Sequence, residues 1–400
     1  IRVGQKLCES YQQHGRTFIK VEKIPPYGYQ AVSIEAKRNP SSAQTQEIYA
    51  EKGADNRIIL GNEKLQIEID KNGDVIRLWD KEKDREILTS GKKFFQWQLF
   101  EDRPADWDAW DLDEDYRKKG FRQANLESAE IFQINGLQAG CYMRKKIGRS
   151  TIVQKISIET GAKDIRLDTR LEYRENRQHL RLACPVEIHG TAAEYGTQFG
   201  SVTRSIHSNT SWEKAKFETC MHKWADLSEG DYGVSILCDN KYGISIHEKE
   251  ISLAVSKSAD FPDPNADRGT QEFTVVICPH EVLDKGELLR KAYLLSNPLE
   301  VYEIEGKGKQ IEKSLCSVKS GNVIIETVKQ AEDGKGTILR AYEYGNTRGK
   351  AEFVYHKKID QVIRCNLLEE EKFQAARDEN RFWLSCRPYE IITVEVRGGK

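Results

Sequence analysis

Apolar and polar residues alternate at a period of two through most of this chain, and no other feature restricts the fold as much. Leu65, Ile67 and Ile69 alternate with polar neighbours, and the pattern returns at 75–79 after Asn72-Gly73. Successive side chains on a strand point to opposite faces, so this spacing gives each strand one apolar and one polar face. Asn72-Gly73 is expected to supply the two left-handed residues of a tight hairpin turn. Similar alternation marks strands at 152–158, 165–173, 244–255, 273–277, 323–328 and 391–396. Turn residues separate them at short intervals, which favours antiparallel sheets packed as sandwiches over a βαβ sheet. The stretch 286–295 carries Leu288, Leu289, Ala292, Tyr293 and Leu295 along one side and makes a modest helical case. The expected class is all-β, with helix scarce.

A length of 400 residues exceeds one ordinary domain. Residues 1–36 read as a short β segment: 16–35 resemble two strands around Pro25-Pro26, too short to bury a core alone and expected to pack on a later domain. The polar stretch 37–56, with Asn39-Pro40-Ser41-Ser42, reads as a linker. A large β-sandwich domain is expected over 57–300 and a small C-terminal β-sandwich over 301–400, parted near Gly306-Lys307-Gly308-Lys309.

The 62 basic and 63 acidic residues leave a net charge of −1. Neutralising phosphates needs a basic excess on one face, so no nucleic-acid partner is expected. The chain has no run of 18 apolar residues and no signal-like start, so no membrane partner is expected either. Nine cysteines fall singly, with no Cys-x-x-Cys pair, which argues against a disulfide framework and points to a cytoplasmic protein. Cys238 and Cys278 sit in apolar runs and read as small buried hydrophobes. Asn209-Thr210-Ser211 fits a glycosylation sequon, which would mean nothing in the cytoplasm.

Metal chemistry is poorly supported by the eight histidines, which include no His-x-Asp, His-x-His or His-x-x-x-His spacing. His222 and Trp224 would share a face if 221–225 is a strand, where a lone histidine is ordinarily structural. The stretch 102–115 is dense in acids, with Asp102, Asp106, Asp108, Asp111, Asp113, Glu114 and Asp115 around Trp107 and Trp110. A calcium loop would need a glycine that is absent. Two readings remain open. One is a solvated acidic loop whose tryptophans cover the core. In the other, indole faces stack on sugar C–H surfaces while carboxylates accept paired hydroxyls. Arg268 lies in a loop introduced by Pro262 and Pro264, the kind of segment that carries function or makes an ordinary turn.

The run Asn209-Thr210-Ser211-Trp212, with Ala215-Lys216-Phe217-Glu218 and the stretch from His222 to Glu229, resembles glycoside hydrolase family 38, the class II α-mannosidases. The likeness continues through Asp231-Tyr232-Gly233-Val234, Pro262-Asp263-Pro264, Asp267-Arg268-Gly269 and Pro279-His280. It includes Glu101-Asp102-Arg103-Pro104 and Trp107-Asp108-Ala109-Trp110-Asp111 earlier, and Pro388-Tyr389-Glu390-Ile391 near the end, where such enzymes usually finish. Gln271 stands where relatives often carry histidine. The resemblance implies a large antiparallel super-sandwich of the galactose-mutarotase kind, followed by the smaller sandwich. It also implies that this is the family's C-terminal half. A retaining mechanism needs two carboxyls, one to attack and one to protonate the leaving group. In the family these, and a zinc ion held through a His-x-Asp pair, belong to an N-terminal catalytic domain; no cofactor is expected in this chain. The resemblance places an arginine of the β domain near the substrate pocket, matched here to Arg268.

The expected function is therefore scaffold and pocket wall of a zinc-dependent α-mannosidase, hydrolysing terminal α-mannosyl bonds, with the chain inactive alone. Its partners would be a mannose-containing oligosaccharide, its own N-terminal catalytic domain and a second copy in a homo-oligomer. Substrate binding is assigned to Trp107, Asp108, Trp110, Asp111 and Arg268, which should meet on one rim of the large sandwich. The rival is a free-standing carbohydrate-binding or aldose-epimerase-like protein, in which His207, His222 and Glu218 would supply acid and base. A third class, a purely oligomerising module, predicts nothing specific.

Overall fold

The computed structural model describes residues 2–3, 6–7, 10–13, 16–21, 24–33, 47–53, 55–134, 136–304, 312–370 and 372–398. The alternating stretches form strands as expected, and the described ladders that build the large sandwich are antiparallel. A nine-stranded sheet runs, edge to edge, Asn125–Ile134, Gln138–Ile147, Ser150–Glu159, Ile165–Tyr173, Gly269–His280, Gly233–Cys238, Trp224–Ser228, Ala192–Thr197 and Gly200–Ser205. A six-stranded sheet runs Phe121–Gln123, Gln96–Glu101, Gln178–Pro185, Glu250–Lys257, Gly243–His247 and Thr219–Cys220. A five-stranded sheet spans Ile48–Lys52 to Arg85–Glu86.

The apolar faces of these sheets meet in one core. Trp97, Leu99, Leu180, Leu182 and Leu253 from the six-stranded sheet join Ile152, Ile156, Leu167, Leu171 and Val275 from the nine-stranded sheet. Trp97 donates its indole N–H across the core to Gln154 Oε1 at 2.8 Å, so its polar atom is satisfied while its rings fill the interior. Residues 316–396 close a second core between a four- and a five-stranded sheet, where Phe353 and Phe382 stack at 4.8 Å.

Among the described residues the α-helices are α1 (Ser211–Lys214) and α2 (Lys285–Ser296), with a 3-10 turn at Glu114–Lys119. Asp284 caps α2 by accepting from Glu287 N at 2.9 Å. The buried face of α2, Leu288, Leu289 and Ala292, packs on Trp224, Leu237 and Cys278, and Ile324 and Tyr344 of the smaller sandwich lie on the same cluster. The helix thereby joins the two sandwiches.

The structure corrects several local expectations. Gly73 (φ 75) alone is left-handed in the first hairpin; residues 70–74 turn around Asp70, whose Oδ1 accepts from Asn72 N and Asp74 N. The stretch 244–255 is two strands parted at Glu248 (φ 50). The strand expected at 221–225 begins only at Trp224, because Lys223 is left-handed (φ 74). Ile48–Lys52, inside the stretch expected as linker, is an edge strand; residues 37–46 and the break at 306–309 lie outside the described residues. Around Pro25-Pro26 the flanking strands do not pair with each other. Arg16–Ile19 pairs with Ser10–Gln13, and Gly28–Gln30 with Glu312–Ser314. Tyr27 OH donates to Ile325 O, which seats this segment on the smaller sandwich. Of the cysteines singled out, Cys238 and Cys278 are buried, and burial pushes the Cys238 thiol up to about 12.

Candidate functional site

Two loops leave the same end of the six-stranded sheet and face each other. The first follows Gln96–Glu101. Asp102 is buried where the chain leaves the sheet, and Trp107 then takes a left-handed conformation (φ 54). Trp107 O accepts from both Trp110 N and Asp111 N at 2.8 Å, closing a tight turn. That turn throws both indoles outward, 68% and 69% exposed, with ring centroids 6.2 Å apart and edge to face. An expectation that the tryptophans cover the core is thereby excluded. The second loop joins Glu250–Lys257 to Gly269–His280 and holds Asp267 (φ 59) and Arg268.

Polar contacts tie the loops together. Asp108 Oδ2 accepts from Asp260 N at 2.8 Å. The Asp260 carboxylate in turn takes Arg177 Nε at 2.7 Å and Arg268 Nη2 at 3.1 Å. Arg177 and then Arg268 hold the Asp260 carboxyl below the usual range. Arg268 also donates Nε to Glu175 O at 3.0 Å and Nη1 to Pro264 O. A guanidinium has five N–H donors, so these bonds leave two without a partner among the described residues. Asp111 contributes its backbone: its carbonyl accepts from Lys257 Nζ, while its Oδ1 is held locally by Leu112 N at 2.9 Å. Lys257 therefore grips the first loop through its ammonium and the second through its backbone N–H, which donates to Asp267 Oδ2 at 2.8 Å.

The same Lys257 ammonium lies 3.5 Å from Asp102 Oδ2, and Asp102 Oδ1 is buried with no hydrogen-bond partner among the described residues. Burial pushes the Asp102 carboxyl up to about 6, Lys257 opposing and Asp108 and Asp113 reinforcing the shift. Trp107, Asp108, Trp110, Asp111 and Arg268 thus stand on one rim, linked through Asp260 and Lys257. Asp260, Lys257 and Arg177 were not read from the sequence. Each is an isolated charged residue whose meaning comes from a partner about 80 or more positions away.

The acid and base imagined for the rival reading are each engaged by other residues. Glu218 Oε1 is occupied by Tyr116 OH at 2.7 Å and Arg181 Nη1 at 2.7 Å. His207 Nδ1 sits 3.4 Å from Glu213, and His222 stacks on Tyr242 at 6.0 Å. Among the described residues no group of three or more His, Cys, Asp or Glu is arranged to hold a metal ion, and no helix is long and apolar enough to cross a membrane.

This architecture and the known protein families agree. Residues 60–265, just over half of the chain, match the "Glycosyl hydrolases family 38 C-terminal domain", and residues 322–394 match the family's "C-terminal beta sandwich domain". The chain belongs to glycoside hydrolase family 38, as its C-terminal, mostly β region. It is 30% identical over 383 residues to "Alpha-mannosidase 2C1" of Homo sapiens, covering 93% of this chain and 36% of that protein. It is 29% identical over 388 residues to "Alpha-mannosidase" of Saccharomyces cerevisiae, covering 86% and 35%. The chain thus spans about a third of the length of the curated relatives it matches. An α-mannosidase structure from Enterococcus faecalis V583 shares its fold, with a TM-score of 0.72 over 98% of this chain and 49% of that one, at 14% identity.

Proposed function

We propose that this chain is the scaffold and pocket wall of a retaining, zinc-dependent α-mannosidase that releases terminal α-mannosyl residues from oligosaccharides. The observation that carries the reading is the rim: two exposed indole faces beside charged groups with spare hydrogen-bonding capacity, in a member of family 38. Sugars present flat C–H faces and paired hydroxyls, and that combination matches both. Nucleophile, acid and zinc are assigned, on the family likeness, to an N-terminal domain of the full enzyme, of whose relatives this chain spans about a third. No catalytic step is assigned to this chain. Here Trp107 and Trp110 would stack on a sugar, Asp108 and Arg268 would fix its hydroxyls, and Asp111 would hold the loop closed. The domain limits 57–300 and 301–400, a cytoplasmic location and self-association belong to the same proposal.

The test compares this chain with the same region inside the full enzyme on an aryl α-mannoside with added zinc. The chain alone should give the background rate. In the full enzyme, Trp107→Ala with Trp110→Ala should lower kcat/KM about tenfold or more, ~1.4 kcal/mol of lost transition-state binding, with the unfolding midpoint unchanged. Turnover that follows the purified chain would remove the reading, and so would a full enzyme indifferent to both tryptophans.

A further inference from the structure

A second pocket lies on the same six-stranded sheet, away from the rim. The alternation that sends Trp97 and Leu99 into the core sends Gln96, Gln98 and Phe100 to the opposite face, beside Ala183, Arg181 and His179 on the paired strand. An outer sheet face of this kind ordinarily meets water. Here the 3-10 turn Glu114–Lys119 roofs part of it, with Tyr116 laid edge-on against Phe100 at 5.1 Å and Arg117 reaching down to Glu250 Oε1 at 3.1 Å and Ser245 Oγ at 2.7 Å. Between roof and floor is a cavity of about 210 Å³, lined by Gln96, Gln98, Phe121, Arg117 and Glu250 among others. None of the five rim residues lines it.

The charges at the edge of the cavity are largely paired: Arg117 with Glu250, and Lys93 with Asp70 and Asp74 at 2.9 and 3.0 Å, while Lys92 also lines the mouth. What the floor offers is amide chemistry. Gln98 Nε2 donates to Gln96 Oε1 at 3.0 Å, which orients both side chains and leaves Gln96 Nε2 and Gln98 Oε1 without a partner among the described residues. One is a donor and the other an acceptor, side by side, as adjacent hydroxyls require. Gln98 is buried apart from the part that lines the cavity. On one wall the Phe121 ring is packed against Phe100 at 5.3 Å yet remains 40% exposed, a flat apolar surface at the cavity mouth.

We infer that this pocket is a second saccharide site, taking one neutral pyranose ring: hydroxyls on the Gln96–Gln98 pair and the Glu250 carboxylate, a C–H face on Phe121. The inference does not depend on the rim. In the full enzyme such a site would hold a sugar unit of a branched oligosaccharide, or a separate glycan, on the outer face of the sandwich.

The experiment uses the whole chain carrying Trp107→Ala and Trp110→Ala, so that the rim contributes no binding, titrated calorimetrically with methyl α-D-mannopyranoside and methyl α-D-glucopyranoside. Binding of at least one pyranoside should persist in this background. Adding Gln96→Leu and Gln98→Leu, which keep the volume and remove the amides, should weaken it at least tenfold, or ~1.4 kcal/mol. Should that variant unfold, Phe121→Ala, at a partly exposed ring, should give a loss of the same order. Absence of pyranoside binding in the rim-deleted chain overturns the site. Binding that ignores the amide pair in a folded variant overturns it equally. Failure of the rim tryptophans to affect turnover would leave this outcome untouched, so the two readings fail separately.

Discussion

Two polar clusters stand on the six-stranded sheet, and they spend their charges differently. Around Arg181, which is wholly buried, the guanidinium bonds are all internal: Glu218 at 2.7 Å, Ser245 Oγ at 2.8 Å, Ser252 Oγ at 2.9 Å and the Ser252 carbonyl at 2.7 Å. His179 beside it is held far below its usual pKa, by burial first and by Arg181 next, and so stays neutral. At the rim, Arg268 keeps donors free, Asp102 keeps an oxygen unpaired, and two indoles face solvent. A closed network contributes order. An open one leaves capacity for a ligand, which is the physical distinction between a polar core and a site.

The largest expected effect would break the first half of that contrast. Arg181→Ala leaves Glu218 short of its buried partner and should cost about 3–5 kcal/mol in urea unfolding. Combining Arg181→Met with Glu218→Gln should recover part of that loss, because no uncompensated charge remains. A loss under about 1 kcal/mol from the single change would mean that the cluster is hydrated.

Asp102 sharpens the other half. Its folded carboxyl titrates at about 6 against an unfolded value of 3.8, so between those values the folded state binds more protons. Stability from this group is fully present below about pH 4 and falls as pH rises through about 6, by on the order of 3 kcal/mol. Relative to Asp102→Asn, the parent chain should therefore lose stability across that window in thermal melts. A constant difference from pH 4 to 7 would place the carboxylate in a better solvated setting than its burial indicates. The smallest effect belongs to Trp107→Ala with Trp110→Ala, which should shift unfolding of this chain by no more than about 0.5 kcal/mol per site, since both rings are mostly exposed. A larger cost would show that the indoles support the loop rather than await a ligand.

Much of the fold was legible in the sequence, and the rim only partly. Period-two alternation at 165–173 or 391–396 states a strand outright, because one buried face imposes the pattern. Tight local geometry was less legible: Lys223 and Glu248 adopt left-handed backbones that no glycine advertises, so one expected strand began late and another broke in two. Trp107, Trp110 and Asp108 drew notice as aromatics among acids. Asp260 and Lys257, which join the two loops, carry no such mark.

What the sequence by itself determined is the local part: strands with one apolar face, scarce helix, a helix read at 286–295 and found at Lys285–Ser296, and a family likeness spread over an ordered series of short motifs. Those follow from neighbours in the chain and from residue type. Tertiary structure alone decided that Asp108 and Arg268 would share Asp260, that Lys257 would hold both loops, and that a 3-10 turn would roof the Gln96–Gln98 face. Each needs groups many residues apart to be brought within hydrogen-bonding distance. Sheet order and loop conformation set those distances, and period-two alternation is the same for any order in which the strands might pair.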